Sequence, residues 1–548
     1  MFAKSRFLLM SLYVLALLFA SCTDTTEVEA PSDTAESTEV VGIVRFETSC
    51  AEEVQGAFDS AVATLHSFEF GEARGMFEAI ASADPDCAMA AWGVAMTYYH
   101  PLWAPPTQEE LKFGTVALAK ARSLDATERE KLYIEAIAAI FDNAENAAHR
   151  ERAVLYEKAM AKVHDQNPDD KEAQIFYTLA LLSNADPTDK TYAVQKQSGS
   201  MLEPLFVNMP DHPGLAHYII HSYDYPALAD RAVEAAHRYL DIATSMPHAL
   251  HMSGHIFTQL GMWEDSIDAN TRSAEAARER TKRFGLAQGQ LNELHALDYL
   301  VYAYLQRGED DKAGAIVNDI NSRDDLNWRN GVITFNAGAA PVRYAMERRD
   351  WEAAASLEPL EAAEKAGGNY EVRNAVALRY WARAVGAAKS GYIEQSERDL
   401  IELERLAKEM ASAERVWARN TAEVFRLQAT AWLALAKDES DRALELMRAA
   451  AKLESETDKS GLSPGRALPA HEQLGDMLAE LGRPQAALAE YEASMSQAPR
   501  RFNTYLGAAR AANDAGKPEI ARDYYGKLLE LASEESSRVE LAEARDAT

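Results

Sequence analysis

One phrase occurs twice in this chain: a proline, histidines four and eight residues on, and an aromatic residue two further. It reads Pro213, His217, His221, Tyr223 and again, 34 residues later, Pro247, His251, His255, Phe257. A register of that length is the mark of stacked helical hairpins, each burying its apolar face only against its neighbours. On a helix, residues i and i+4 lie one above the other. Each copy therefore puts two imidazoles on one stripe, and stacking sets the stripes side by side. Seven of the 13 histidines fall between His212 and His255, which makes this stretch the strongest pointer to function.

At 548 residues the chain exceeds one ordinary core, so several domains or a repeat array are required. Alanine is abundant and β-branched runs are scarce, which favours helix. A formal charge of −30 leaves nothing to compensate phosphate repulsion and argues against a nucleic-acid partner. Residues 1–22 read as a signal peptide, with a basic start at Lys4 and Arg6 and an apolar stretch from Phe7 to Phe19 too short to span comfortably. Its end, Leu18-Phe19-Ala20-Ser21-Cys22, resembles a bacterial lipobox. The expectation is cleavage before Cys22, a lipid on its thiol, and an outer-membrane lipoprotein of the cell envelope facing the periplasm. A plain secretory signal is the alternative. Residues 23–48, acidic and rich in Thr and Ser, read as a disordered tether.

A second pattern recurs after Cys50: a small residue, often Gly, in one helix, Gly at the turn, Ala in the next helix, an aromatic four later, and Pro near the end. Gly475, Gly482, Ala487, Tyr491 and Pro499 are the cleanest copy, and Gly516, Ala521 and Tyr525 the last. Gly254, Gly261 and Trp263 keep the register inside the histidine repeat. This pattern resembles the tetratricopeptide repeat (TPR) superfamily, over some ten to twelve hairpins. The phrases Asp84 to Ala90, His100 to Trp103 and His251 to Phe257 resemble exported bacterial TPR proteins, a group for which no activity is implied. The resemblance implies an all-α, right-handed helical-repeat solenoid with a groove lined by the first helix of each hairpin. An N-terminal array over 49–325 and a C-terminal array over 326–548 are expected, with longer connections at Asp186 to Gln197, Gly285 to Gln290 and Ser455 to Pro469. Cys50 and Cys87 begin neighbouring helices at one level, so export predicts a disulfide between them, with two buried thiols as the alternative.

Groove-lining positions in such repeats are occupied here by His217, His221, His248, His251, His255, His295 and Asp298. Neutral imidazole suits Zn, Cu and Fe, and a carboxylate keeps the set within transition-metal chemistry. Two i,i+4 pairs in register are a better signal than one. His66 and His100 are candidates for a second site, or for a reach across a tight superhelix, with buried and satisfied histidines as the alternative. His212 suits a helix cap, His149, His164 and His237 the surface, and His471 a core-facing position. The rival readings are a metal-free scaffold that grips a peptide or protein partner, with Arg343 among its polar groove residues, and a metalloenzyme with an open coordination position. The sequence carries no Walker motif, Gly-x-Ser-x-Gly or HExxH.

Overall fold

A computed structural model describes residues 41–284, 287–413 and 415–548, and the regular structure among them is helical throughout. Residues 1–22, with Cys22, and the tether up to residue 40 lie outside the described residues. Consecutive helices pair as twelve hairpins, from Glu52–His66 with Phe70–Ala83 to Phe502–Asp514 with Pro518–Leu531, followed by a last helix, Glu540–Ala547. In the eighth, the second helix is broken into Trp351–Ala355 and Glu361–Ala366. The expected turn glycines Gly261, Gly482 and Gly516 all take positive φ, 66° to 71°, where a side chain would be strained. The small residue of a first helix admits an aromatic from a neighbouring one: a methyl at Gly93 would sit 2.3 Å from the Phe77 ring. This is the fold the repeat pattern implies.

The array curls back on itself. The first helix of hairpin five (Pro213–Tyr223) packs against that of hairpin one (Glu52–His66), where His66 Nδ1 and the Tyr218 hydroxyl are 2.8 Å apart. Gly214 makes room for this approach, since a methyl there would meet His66 Nδ1 at 2.7 Å. Further along, Trp263 Nε1 donates to the Arg500 carbonyl at 2.7 Å, and Ser533 N to the Arg307 carbonyl at 2.9 Å. Hairpins six and seven thus meet hairpin twelve.

Three expectations about organisation change. The tether does not reach residue 48: Val44 and Phe46 are buried, and Phe46 packs among Phe58, Trp92 and Tyr133. No break falls at 325/326, because residues Val40–Thr548 form one compact unit and Leu326 is buried between the helices on either side of it. Of the connection expected at Gly285 to Gln290, residues 285 and 286 lie outside the described residues and the rest belongs to the helix Ala287–Gln306. Cys50 and Cys87 are joined in a disulfide. With its ends 37 positions apart in sequence, the closed loop stabilises the fold by about 3–4 kcal/mol on the chain-entropy model.

Arg501 ties the late hairpins to the middle of the array. It is fully buried and donates to Glu347 at 2.7 Å, Glu472 at 3.0 Å and the Tyr302 hydroxyl at 2.6 Å, and both carboxylates are buried too. An Arg501→Met variant should lose about 3–5 kcal/mol, because two carboxylates would be left without their shared cation. Denaturant titration reads this directly. A loss below about 1 kcal/mol would mean that Arg349, which donates to Glu472 at 2.8 Å, can neutralise the pair alone.

Candidate metal centre

Three consecutive first helices carry the groove histidines: Pro213–Tyr223, Pro247–Leu260 and Ala287–Gln306. Proline at the first turn of the first two fixes where each helix begins and hence which face each histidine takes. The middle helix serves both neighbours. Its second residue, His248, turns to His217 and His221, while His251 and His255 turn to His295. In each trio, one nitrogen per ring lies within 4.8 Å of the other two. The single patch expected from the sequence is therefore two triads.

In the first triad all three Nε2 atoms are buried and lack a hydrogen-bond partner among the described residues. His217 Nδ1 lies 2.6 Å from the His66 carbonyl, so this nitrogen carries the proton and Nε2 presents a lone pair. Phe68 and Trp103 pack against His248, and Phe68 also against His217 and His221. Burial, reinforced by the neighbouring rings, pushes His217 and His248 far below the usual imidazole range and His221 to about 3. The rings are thus neutral and ready to coordinate.

The second triad is held from behind. His251 Nδ1 donates to Asn270 Oδ1 at 2.7 Å, His255 Nδ1 to Asp224 Oδ2 at 2.7 Å, and His295 Nδ1 faces Asn336 Oδ1 at 3.3 Å. Asn270 Nδ2 is committed to the Ser266 carbonyl, which orients its oxygen toward His251. Such outer acceptors fix the tautomer and raise the basicity of the other nitrogen. They also create a conflict: His251 Nε2 and His255 Nε2 stand 2.9 Å apart, each with a lone pair and no proton to share. A proton or a metal cation between them relieves it. Burial opposes the proton, holding His251 well below the usual range and His295 at about 3. The Tyr299 hydroxyl approaches His255 Nε2 at 3.3 Å.

The remaining candidates separate from this centre. Asp298 is not a ligand: Arg343 binds both its oxygens, at 2.8 and 3.2 Å, in a fully buried pair. His66 does reach across the superhelix, but to Glu172 at 2.9 Å, which His212 also meets at 2.7 Å. His212 Nδ1 caps its helix by accepting from Leu215 N, so this His–Glu–His set is satisfied by protein alone. His100 is not part of it. It lies beside Phe70, with Nε2 3.1 Å from the Thr97 carbonyl. His237 is exposed as expected, whereas His149 and His164 are half-buried, and His471 is half-buried against Glu490 rather than in the core. Asp224, Asn270, Asn336 and Tyr299 escaped the sequence reading, although Asp224 follows the first histidine phrase directly.

The connection Ser455 to Pro469 does more than separate repeats. It lies along the groove, where Arg343 donates to Ser463 Oγ at 2.8 Å and to the Gly465 carbonyl at 2.9 Å, and Tyr299 reaches the Ser463 carbonyl at 3.3 Å. An extended partner at this point would have to displace the chain's own segment. Between that segment, the loop around Leu102 and the loop Asp186–Thr191, a cavity of 520 Å³ opens onto His221 of one triad and His255 of the other.

No family model matches the sequence, and no curated protein does. Among solved structures, the chain is similar to a tetratricopeptide repeat protein from Parabacteroides merdae, 12% identical, over 55% of this chain and 98% of that one, with a TM-score of 0.30. Yeast Tom70 is 11% identical over 90% and 96%, with a TM-score of 0.33. The APC/C hetero-tetramer Cut9–Hcn1 gives 12% over 90% and 90%, with a TM-score of 0.29. None of these likenesses bears on what this chain binds.

Proposed function

We propose that this all-α solenoid of tetratricopeptide-like hairpins is a metal-binding protein of the cell envelope. It holds one transition-metal ion at His217, His221 and His248 and a second at His251, His255 and His295. The observation that carries this is the pair of Nε2 atoms of His251 and His255, 2.9 Å apart while each ring's Nδ1 is held from behind. The three Nε2 atoms of the first triad, which have no partner among the described residues, support it. With Asp298 withdrawn by Arg343, the donors are imidazole alone, which favours Zn or Cu over Fe. Three protein ligands leave a coordination position open, the arrangement that activates water or binds a small molecule. The leader sequence supports a lipid anchor at Cys22 in the outer membrane, and the Cys50–Cys87 disulfide suits an oxidising periplasm. Among the described residues no helix is long and apolar enough to cross a membrane.

Elemental analysis of untagged protein, purified without chelator, tests the reading. About two equivalents of one metal are expected per chain, and a His251→Ala/His255→Ala variant that remains helical by circular dichroism should hold about one. Wild-type protein that stays metal-free after supplementation would overturn it.

A further inference from the structure

The cavity beside the triads has a character of its own. Its volume of 520 Å³ suits a small organic molecule rather than a bare ion. It is lined by the histidines His221 and His255, by the apolar Leu102, Leu182 and Trp417, and by Lys459. The Lys459 side chain is only 15% exposed, and its nearest ion-pair oxygen among the described residues, Asp224 Oδ2, is 3.8 Å away, too far for a hydrogen bond. Its Nζ is not among the buried atoms without a partner and so keeps contact with solvent on the cavity side, where an anion can take up its donors.

The carboxylates facing the cavity are largely committed elsewhere. Asp224 accepts from His255 and Gln259, and Asp458 is paired with Lys190 at 2.7 Å and bonded by the Tyr192 hydroxyl. Glu456 is exposed, as is Arg415, which donates to the Trp103 carbonyl. Metal at the triads would add further positive charge on the histidine wall.

We propose that this cavity binds an organic carboxylate, its head between a histidine-bound metal and the Lys459 ammonium and its apolar body against Leu102, Leu182 and Trp417. The inference rests on the metal reading above. One ammonium and one open metal position match the two oxygens of a monoanion, whereas a phosphate dianion would need more donors than this wall offers.

Cobalt(II) loaded into the full chain provides the probe, because its visible bands report changes at the ion. Benzoate is expected to shift those bands and to bind at least about ten-fold more tightly than acetate or inorganic phosphate. Lys459→Met should weaken benzoate by about ten-fold or more, with cobalt stoichiometry and the anion-free spectrum unchanged. Trp417→Ala should weaken benzoate and leave acetate as it was, which separates the apolar wall from the charged head. Cobalt bands indifferent to benzoate, equal affinity in Lys459→Met, or phosphate binding tighter than benzoate would each overturn the carboxylate while leaving the metal site standing. Failure of the wild type to take up cobalt at all would bring down the metal reading and this inference together.

Discussion

A His248→Phe variant is expected to bind one metal ion fewer than the wild type and yet, stripped of metal, to melt at the same temperature or higher. The ring already stands among aromatics, 5.8 Å from Phe68 and 5.1 Å from Trp103, centroid to centroid, so a phenyl group fits its surroundings. In the metal-free protein its Nε2 is buried without a partner, and such an atom costs about 1–3 kcal/mol. Removing it should return part of that cost. With metal the sign reverses, because binding to the native state alone stabilises by about 4 kcal/mol when free metal is a thousand times Kd. Melting curves with and without added zinc or copper therefore separate the two roles. A histidine kept for structure would give a variant that melts several degrees lower without metal and gains as much from metal as the wild type does. The second triad should be untouched by this change, since its histidines are braced by Asn270, Asp224 and Asn336 and not by His248.

The sequence disclosed the helical faces and stopped at the side-chain partners. Register is local: a 34-residue period and an i,i+4 spacing place His217, His221, His251 and His255 on one side of adjacent helices, and there they are. The disulfide was legible for the same reason, because two helix starts at one level are adjacent whatever the detailed packing. What decides a ligand from a neighbour is not local. Asp298 lies three residues beyond His295 and on a similar stripe, but Arg343, 45 residues on, claims it. Whether His66 is a ligand or a satisfied buried histidine is not local either, because only the closure of hairpin five onto hairpin one brings it to Glu172, 106 residues away. The division into two triads follows from His248 sitting at the start of its helix, from which it reaches the preceding hairpin while residues a turn later reach the following one. Lys459 was invisible as a groove residue, since nothing in a polar connecting segment says that it will fold back over helices more than 150 residues earlier.

Acid should unfold the metal-free protein unusually early. In the unfolded chain an imidazole takes its proton near pH 6.5. In the fold, burial holds His217, His248 and His251 far below that value and His221 and His295 at about 3, and lowers His255 as well, although Asp224 pulls it the other way. Between pH 6.5 and 3 the unfolded state therefore binds more protons, so the stability these rings carry is complete above 6.5 and drains as pH falls. Each unmatched proton is worth about 1.4 kcal/mol per pH unit, and the five rings held far down together approach about 7 kcal/mol per unit. Glu172 adds to the loss further down. Burial alone would raise its carboxyl, but His212 and His66 outweigh that and hold it below the usual range, so its contribution disappears as pH drops through the carboxylate region. Against a typical net stability of about 5–15 kcal/mol, such a slope places the unfolding midpoint about one to two units below pH 6.5. Metal occupies the same lone pairs that protons seek, so loaded protein should hold its fold to a lower pH, releasing the ions as it unfolds. Circular dichroism against pH, with and without metal, measures both midpoints. Coincident curves would mean that the six imidazoles titrate independently of any bound ion, and a metal-free protein intact at pH 4 would show that the triads are far less buried in solution than their packing here requires.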